Sequence, residues 1–306
     1  MKKKIIVITG PTAVGKTEIS IKVAKQYNGE IISADSMQVY CGADIGTAKI
    51  RKDEMAGIEH HLIDICKPNE NFSANEFVEL ANECIDQIIK KGKVPIIVGG
   101  TGLYISSLLY PITAKAERND DFRAECKELI IKYGKTYLYD KLKEIDPATA
   151  QVLHPNQTDR IVRALEIYHQ TGTKKSELTK TNKSPFDYLI IVITDNREVI
   201  YQRINSRVDK MINEGLIGEV ENLVRDFNLN EDNQIMQGIG YKETLEYLKG
   251  EITKEQMIDK IKQHSRNYAK RQFTWFKKLP NANFVERCDN LAINNLIEDF
   301  LRRNNG

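Results

Sequence analysis

Residues 10–17, with the sequence GPTAVGKT, have the types and the spacing of a phosphate-binding loop. They match the pattern G-x-x-x-x-G-K-[ST] in full. Glycines have no Cβ atom, so consecutive backbone N–H groups can curl around an anion. Lys16 adds a full positive charge, and the hydroxyl of Thr17 can bind Mg²⁺. The predicted phosphate site consists of Gly10, Pro11, Thr12, Ala13, Val14, Gly15, Lys16 and Thr17.

The sequence on either side predicts the strand and the helix that such a loop needs. Residues 5–8 form an apolar run of the length of a buried strand. The residues after the loop have a helical pattern, with apolar side chains at positions 19, 23 and 24. Strand, loop and helix in this order favour a polyphosphate site over a purely structural glycine turn.

Asp35 is a candidate for acid–base chemistry. It follows a predicted strand at 30–34, and ligands in open α/β sheets bind outside the carboxyl ends of the strands. Two interpretations stay open for this carboxylate. It can cap a helix or support a Mg²⁺ ligand, or it can be the general base for a nucleophile that attacks near the phosphate.

Another predicted strand, at 94–98, ends in Gly99-Gly100-Thr101. A motor ATPase or a GTPase would carry a Mg²⁺-binding Asp at this point, so its absence argues against both classes. Asp195, after a strand at 188–193, and Asp35 are the possible substitutes. The glycines suit either the close approach of a flat substrate or phosphate, or a tight strand-to-helix turn.

Two predicted helices in the C-terminal part carry basic side chains. Arg203 and Arg207 lie four residues apart on one helix face, where Glu198 or Asp209 could pair with either. The longest predicted helix, 253–278, combines basic and aromatic residues, which fits a nucleic-acid surface or a solvated amphipathic face. Its basic residues are Lys262, Arg266, Lys270, Arg271, Lys277 and Lys278, and its predicted apolar face is Ile258, Ile261, Tyr268, Trp275 and Leu279.

Strands alternate with helices over the first 110 residues, including a third predicted strand at 58–65. This pattern predicts an α/β fold with a parallel, doubly wound sheet. Residues 114–184 are charged and helical by pattern, which predicts a helical insertion between two parts of one core, 1–113 and 185–306.

The composition excludes several classes of protein. The 306 residues include 45 Lys and Arg against 43 Asp and Glu, so any nucleic-acid surface must be a local basic patch. There is no signal-peptide core and no apolar run of membrane-spanning length. The five scattered cysteines do not form a zinc motif. We expect these cysteines to act as ordinary small apolar residues, and we expect the protein to be cytoplasmic.

Taken together, these segments resemble the bacterial tRNA dimethylallyltransferase (isopentenyl-tRNA transferase) family. The similar segments cover nearly the whole chain and follow the order that they have in the family. The departures are mild: the family often has Tyr at the position of Phe72 and Asp at the position of Glu76. The segments that carry it are GPTAVGKT (10–17), ISADSMQVY (32–40), DIGTAK (44–49), HHLIDI (60–65), FSANEF (72–77), IVGGTGLY (97–104), HPNQTDRIVRALEIY (154–168), GIGYKE (238–243) and AKRQFTWF (269–276).

The resemblance implies a P-loop NTPase-like core that transfers a dimethylallyl group from dimethylallyl diphosphate to N6 of adenosine 37 in a tRNA. The loop would hold the diphosphate with Mg²⁺, bound by Thr17, and no ATP would be consumed. This accounts for the missing Mg²⁺-binding Asp. Asp35 would accept the amine proton, Arg207 would neutralise the leaving group, and Thr101 would complete the catalytic set.

The same resemblance implies a set of tRNA contacts, with the insertion gripping the anticodon stem of a tRNA bound to a monomeric enzyme. They are Asp35, Ser36, Met37, Gln38, Thr101, Arg123, Asp159, Arg160, Ile161, Val162, Arg163, Gln237, Gly238, Tyr241, Lys242, Lys270, Arg271, Trp275 and Lys277. Two other classes remain: a P-loop small-molecule kinase, and an RNA-binding protein in which the loop is a regulatory nucleotide site.

Overall fold

A computed structural model describes residues 2–111, 116, 118–178 and 183–303 of the chain. It divides into two compact units: Met1–Leu109 with Pro185–Gly306, and Tyr110–Ser184. The boundary expected between 113 and 114 lies outside the described residues. No helix in the described part of the chain is long and apolar enough to cross a membrane.

The first unit is built on a parallel sheet. Its strands are β1 (Lys3–Thr9), β2 (Gly29–Ser33), β3 (His60–His61), β4 (Val94–Gly99), β5 (Phe186–Thr194) and β6 (Ala282–Glu286). They lie in the order β3-β2-β4-β1-β5-β6, so β4 separates two strands that are close in sequence. The predicted fold class is confirmed.

Helices follow or separate these strands. In chain order they are α1 (Lys16–Gln26), α2 (Ala74–Lys90), α3 (Gly102–Leu109), α4 (Asp120–Tyr133), α5 (Lys135–Ile145), α6 (Pro147–Val152), α7 (Thr158–Thr171), α8 (Arg197–Glu214), α9 (Leu216–Phe227), α10 (Tyr241–Leu248), α11 (Lys254–Phe276) and α12 (Asn290–Arg302).

Both faces of the sheet are covered, which explains the unbroken apolar runs in the sequence. Ile6 and Ile8 of β1 belong to one buried cluster with side chains from α1, α8 and α12. Ile5 and Val7 point to the opposite face and are also fully buried. Helix α2 packs against β2 and β4, and it begins with a capping box of Ser73 and Glu76.

The predicted strand at 58–65 is wrong except at His60 and His61, which form β3. Only His60 and His61 pair with β2. The next residues leave the extended conformation, since Leu62 has a φ of 60° and Asp64 a φ of 56°. The buried ammonium group of Lys49 pairs with the Asp64 carboxylate and donates a hydrogen bond to the Tyr40 carbonyl, 2.8 Å away. These contacts hold a compact loop where the sequence pattern suggested a strand.

The regular elements of the second unit, among its described residues, are helices, and they include α4 to α7. Two helices, α4 and α5, cover 120–145, and Gly134 separates them with a φ of 87°. Glu166 is fully buried and is bound by Arg123 at 2.8 Å and 3.0 Å and by Arg163 at 2.5 Å. Burial raises the pKa of Glu166, but these hydrogen bonds outweigh it and hold the pKa at about 2.

The cysteines follow the sequence interpretation only in part. Cys66 and Cys126 are buried small residues, whereas Cys288 is exposed. All five cysteines are free thiols.

Candidate active site

The phosphate-binding loop has a conformation that only glycine can supply at two of its positions. Gly10 has a φ of 149°, and a Cβ there would lie 2.5 Å from the carbonyl oxygen of Ile193. Gly15 has a φ of 96° and begins α1. The glycine spacing read from the sequence therefore has a steric reason.

Lys16 lies folded back over this loop. Its Nζ donates hydrogen bonds to the carbonyl oxygens of Gly10 and Pro11, both at 2.9 Å. Burial lowers the pKa of the Lys16 ammonium to about 8, against the opposing charge of Asp35 and with a smaller contribution from Arg207. A bound anion would favour the ammonium form, so the site is electrostatically suited to a phosphate.

Asp35 stands just beyond β2, as predicted, and its Oδ1 accepts a hydrogen bond from the N–H of Met37 at 3.0 Å. The neighbouring Ser36 N–H donates to Oγ1 of Thr101, 3.0 Å away. Thr101 in turn donates its N–H to the Ala34 carbonyl at 3.2 Å. The ends of β2 and β4 are thus tied together, and Thr101 lies against the backbone on either side of Asp35, so two of the three residues predicted as catalytic are neighbours.

The glycines after β4 make room for protein neighbours. A Cβ on Gly99 would lie 2.1 Å from the Ala34 carbonyl oxygen, and one on Gly102 would lie 2.5 Å from the Trp275 ring. A Cβ on Gly100 would meet Nε2 of Gln272 at 2.3 Å. These contacts fit the interpretation of a tight strand-to-helix turn.

Gln272 of α11 is a site residue that the sequence analysis missed. Its Oε1 accepts the Thr12 N–H at 2.8 Å, and its Nε2 donates to the Gly100 carbonyl at 2.9 Å. The side chain is buried, with 5% of its surface exposed. One amide therefore joins the phosphate-binding loop to the turn after β4. A polar residue on the buried face of a predicted helix was the available signal.

The expectation that Arg207 pairs with Glu198 or Asp209 is wrong. Its guanidinium donates to the Thr47 carbonyl at 2.9 Å and to Oγ1 of Thr12 at 3.3 Å. Burial lowers the pKa of Arg207, and Asp35 partly opposes this effect. The cation therefore spans the gap between the phosphate-binding loop and the loop at 44–49.

Its neighbour on the same face, Arg203, binds Asp195 at 2.6 Å. Asp195 was one possible substitute for the missing Mg²⁺-binding Asp. This ion pair engages its carboxylate outside the cavity described next.

Thr12, Asp35 and Arg207 lie in the wall of a cavity of about 330 Å³. Its polar lining includes Thr12, Asp35, Arg207 and Tyr268, and its apolar lining is Met37, Ile204, Val208, Met211, Ile239 and Ile261. Burial raises the pKa of Tyr268 to about 12, with Asp35 adding to the rise, so the phenol is neutral at physiological pH. The cavity offers an anion site, a carboxylate and a small apolar compartment within one space.

The residues predicted to contact tRNA fall into two groups in the first unit. Ser36, Met37, Gln237, Gly238, Tyr241 and Arg271 line the cavity with Asp35, while Lys242, Lys270, Trp275 and Lys277 are exposed. Gln38 is half-buried and donates to the Thr47 carbonyl at 3.4 Å.

In the second unit, Asp159 and Arg160 are exposed, and Arg123 and Arg163 bind Glu166. Ile161 and Val162 are core side chains, 0% and 8% exposed. The predicted contact of these two residues with tRNA stays a prediction, and their side chains pack in the unit's own core.

The basic stripe predicted on α11 is shorter than expected. Lys262 binds Asp209 at 2.6 Å, and Arg266 donates to Asn205 at 2.7 Å. Trp275, expected on the apolar face, is 39% exposed. Lys270, Arg271, Lys277 and Lys278 remain as the exposed members of the predicted stripe.

Arg287, which follows β6, is a second residue that the sequence analysis missed. Its guanidinium lies against Gly15, since a Cβ there would be 2.5 Å from its Nε. It also binds Glu18 in the first turn of α1 at 2.7 Å. No sequence motif marks this position, which approaches the loop only through the pairing of β5 with β6.

The chain is similar to several known proteins. It matches the family model described as IPP transferase over residues 38–279. A tRNA dimethylallyltransferase of a Thermoanaerobacter species (strain X514) is 51% identical over 90% of each chain. The tRNA isopentenylpyrophosphate transferase of Bacillus halodurans has a solved structure that is 44% identical, with a TM-score of 0.71 over 98% of this chain and 95% of that one.

A eukaryotic dimethylallyltransferase solved while acting on tRNA is 32% identical, with a TM-score of 0.84 over 98% of this chain and 79% of the other. The family match, the identity with the bacterial relatives and the shared structure all indicate the same family. The chain belongs to the IPP transferase family.

Proposed function

We propose that this site transfers the dimethylallyl group of dimethylallyl diphosphate to the exocyclic N6 amine of adenosine 37 in the anticodon loop of a tRNA. Family membership carries the transfer of a dimethylallyl group to tRNA. The observation that supports our choice of donor and residue roles is the cavity that brings Thr12 of the phosphate-binding loop together with Asp35 and Arg207.

The donor breaks its C–O bond, and the electron pair leaves with the diphosphate. The N–H groups of the loop, the Lys16 ammonium and the Arg207 guanidinium face the charge that develops on that group. Arg207 already contacts Thr12 at 3.3 Å, so it needs no large movement to reach an anion in the loop. The apolar lining from α8 and α11 suits the five-carbon group and excludes water from the allylic carbon.

The nucleophile is weak because the lone pair of the adenine amine is delocalised into the ring. Asp35 accepts a hydrogen bond from this amine and takes its proton as the new C–N bond forms. Thr101 orients this stretch through the Ser36 N–H at 3.0 Å. The base must leave the anticodon stack to enter the cavity, as in other enzymes that modify a base.

We assign Mg²⁺ to Thr17 and the oxygens of the donor diphosphate. Thr17 is exposed in the first turn of α1, beside the loop, and Asp195 is engaged by Arg203. Mg²⁺ binds with few protein ligands when a substrate supplies phosphate oxygens, so one hydroxyl fits this role. The ion would offset the negative charge of the leaving diphosphate.

The tRNA would lie against the exposed basic residues of α11 and against the second unit, where Arg160 is exposed. We propose a monomer that acts in the cytoplasm. The kinase alternative receives no support from the relatives, which are named for dimethylallyl or isopentenyl transfer.

The test uses the purified protein, labelled dimethylallyl diphosphate and an unmodified tRNA with adenosine 37, without ATP. We expect labelled tRNA and free diphosphate in equal amounts. A tRNA with guanosine 37 and a donor with a non-allylic isopentenyl chain are the controls, and neither should react. ATP hydrolysis without labelled tRNA would contradict the proposal in favour of the kinase.

A further inference from the structure

Glu219, on α9, is a half-buried carboxylate that accepts an unusual number of hydrogen bonds. Its Oε2 accepts the N–H groups of Asp44 at 2.9 Å and Ile45 at 2.6 Å. Its Oε1 accepts the N–H of Gly46 at 3.0 Å and the hydroxyl of Tyr241 at 2.7 Å. Three consecutive backbone amides of one loop are therefore fixed by a single side chain.

Two further contacts hold the same loop. A Cβ on Gly46 would lie 2.6 Å from the Tyr241 ring, so the backbone rests directly on that aromatic face. Tyr241 is 1% exposed, and burial together with Glu219 raises the pKa of its phenol well above the ordinary value. The phenol therefore stays a donor. On the other side, the Lys49 ammonium binds the Asp44 carboxylate at 2.7 Å.

Thr47, the next residue of the loop, binds Arg207 in the cavity wall. The carbonyl of Thr47 accepts the hydrogen bond from Arg207 at 2.9 Å, and the Thr47 hydroxyl donates to the Ala43 carbonyl at 2.6 Å. The direction of the Thr47 carbonyl is thus set by the residues that Glu219 anchors. Glu219 itself does not line the cavity and cannot touch the donor there.

We propose that Glu219 is a positioning residue for Arg207, acting through the loop at 44–47. This inference rests on the proposed role of Arg207 in neutralising the leaving diphosphate. A carboxylate is required because it offers about four acceptor sites and no donor. In Glu219→Gln, an NH₂ group would face groups that are themselves donors, and the loop would lose part of its anchor. Small displacements of a charge-stabilising group are costly in rate.

The experiment is a double-mutant cycle on single-turnover transfer at saturating donor and tRNA, with Glu219→Gln, Arg207→Ala and the combined variant. We expect Glu219→Gln to slow transfer by about tenfold, with unchanged affinity for tRNA. In the Arg207→Ala background the same change should have less than about a twofold effect, because its target is gone. Glu221→Gln, two residues further along α9 and exposed, is the matched control and should transfer normally.

Tyr241→Phe provides the same cycle with a smaller perturbation, since it removes one of the four donors to Glu219 and leaves the backbone amides. It decides the question if Glu219→Gln does not fold. Losses that multiply in the combined variants, or normal transfer by both single variants while Arg207→Ala is slow, would overturn the inference alone. Normal transfer by Arg207→Ala would overturn the proposed role of Arg207 and the inference with it.

Discussion

Strand β2 carries a carboxylate near each end, and the two have opposite surroundings. Glu30, at the amino end, is fully buried and receives hydrogen bonds from Lys93 at 2.7 Å, Lys91 at 3.1 Å and His61 at 2.8 Å. Burial raises its pKa, but these partners outweigh burial and hold it at about 2. Every acceptor site of this carboxylate is committed to the protein, so it cross-links the edge of the sheet.

Asp35, just past the carboxyl end, is only half-buried and lines the cavity. Its hydrogen bond within the chain is to the N–H of Met37, at 3.0 Å. Lys16 and Arg207 act on it through charge, and their ammonium and guanidinium groups bind backbone carbonyls. Glu30, the carboxylate with the most partners, therefore serves stability, whereas Asp35 has spare acceptor sites that are available to a substrate.

The strongest challenge to this comparison is Asp35→Asn. We expect the single-turnover transfer rate to fall by a factor of roughly 10² or more, because an amide cannot take the proton of the amine. The Asn oxygen can still accept the Met37 N–H, so binding of tRNA and the free energy of unfolding should change little. Rapid-quench transfer and a tRNA binding assay measure the two effects. Asp195→Asn, also after a strand but outside the cavity, should retain normal transfer; an unchanged rate in Asp35→Asn would remove Asp35 from its role.

Glu30→Gln should lower the stability of the fold and leave the transfer rate unchanged, which is the reverse of Asp35→Asn. We expect a loss of about 2 kcal/mol in the free energy of unfolding, because three charge-assisted hydrogen bonds lose their acceptor charge. The pKa of Glu30 is lowered in the folded protein, so this stabilisation is complete above the unfolded value of 4.5 and is lost as the pH falls towards 2.

Urea unfolding of both proteins at pH 7 and near pH 3 measures this effect, and the difference between them should shrink in acid. Glu298→Gln, whose partner Arg302 is exposed, is the control and should lose less than about 0.5 kcal/mol. Reduced transfer by folded Glu30→Gln would break the contrast between the two ends.

The pKa values of two lysines, Lys91 near Glu30 and Lys16 near Asp35, are also shifted in opposite directions. The pKa of Lys91 is raised by its hydrogen bonds with Glu59 and Glu30, whereas burial lowers that of Lys16 to about 8. Lys16 is therefore charged below pH 8 and loses its charge above it, and we expect donor affinity to fall about tenfold from pH 7 to pH 9. Equilibrium binding of the donor across this range measures the effect. Lys16→Arg, which does not titrate there, should show a flat profile; an equally flat wild-type profile would contradict the assignment.

Arg287→Ala should have the smallest effect. We expect donor affinity to fall by about threefold, because a half-exposed cation beside the loop is lost and is screened by solvent and salt. Transfer at saturating donor should stay normal, since Arg287 is not among the residues lining the cavity. Arg302→Ala, which removes a comparable surface pair on α12, is the control. A large drop in the saturated rate would place Arg287 in the reaction itself.

Local patterns predicted most of the fold. The phosphate-binding loop is a motif of eight residues, and the buried strands are apolar runs, so both are legible without tertiary information. The third strand failed because an apolar pattern does not reveal that Leu62 and Asp64 adopt left-handed backbone conformations. Those conformations follow from the contacts of Lys49, which are not local.

The partners of the site residues were beyond the reach of sequence patterns for the same reason. The rule for helix neighbours offered Arg207 only nearby carboxylates, but its partners lie 160 and 195 positions away. Gln272 meets Thr12 across 260 positions. A motif can mark which residues hold a ligand, whereas only the packed fold shows what holds those residues.

The bridge made by Gln272 has a consequence for the order in which the protein becomes functional. The phosphate-binding loop is synthesised within the first 17 residues, but the amide that joins it to Gly100 arrives with α11. A growing chain on the ribosome therefore carries the loop long before it has a complete cavity. The cavity is complete only when α11 has been synthesised and has packed, because Ile261, Tyr268 and Arg271 form part of its lining.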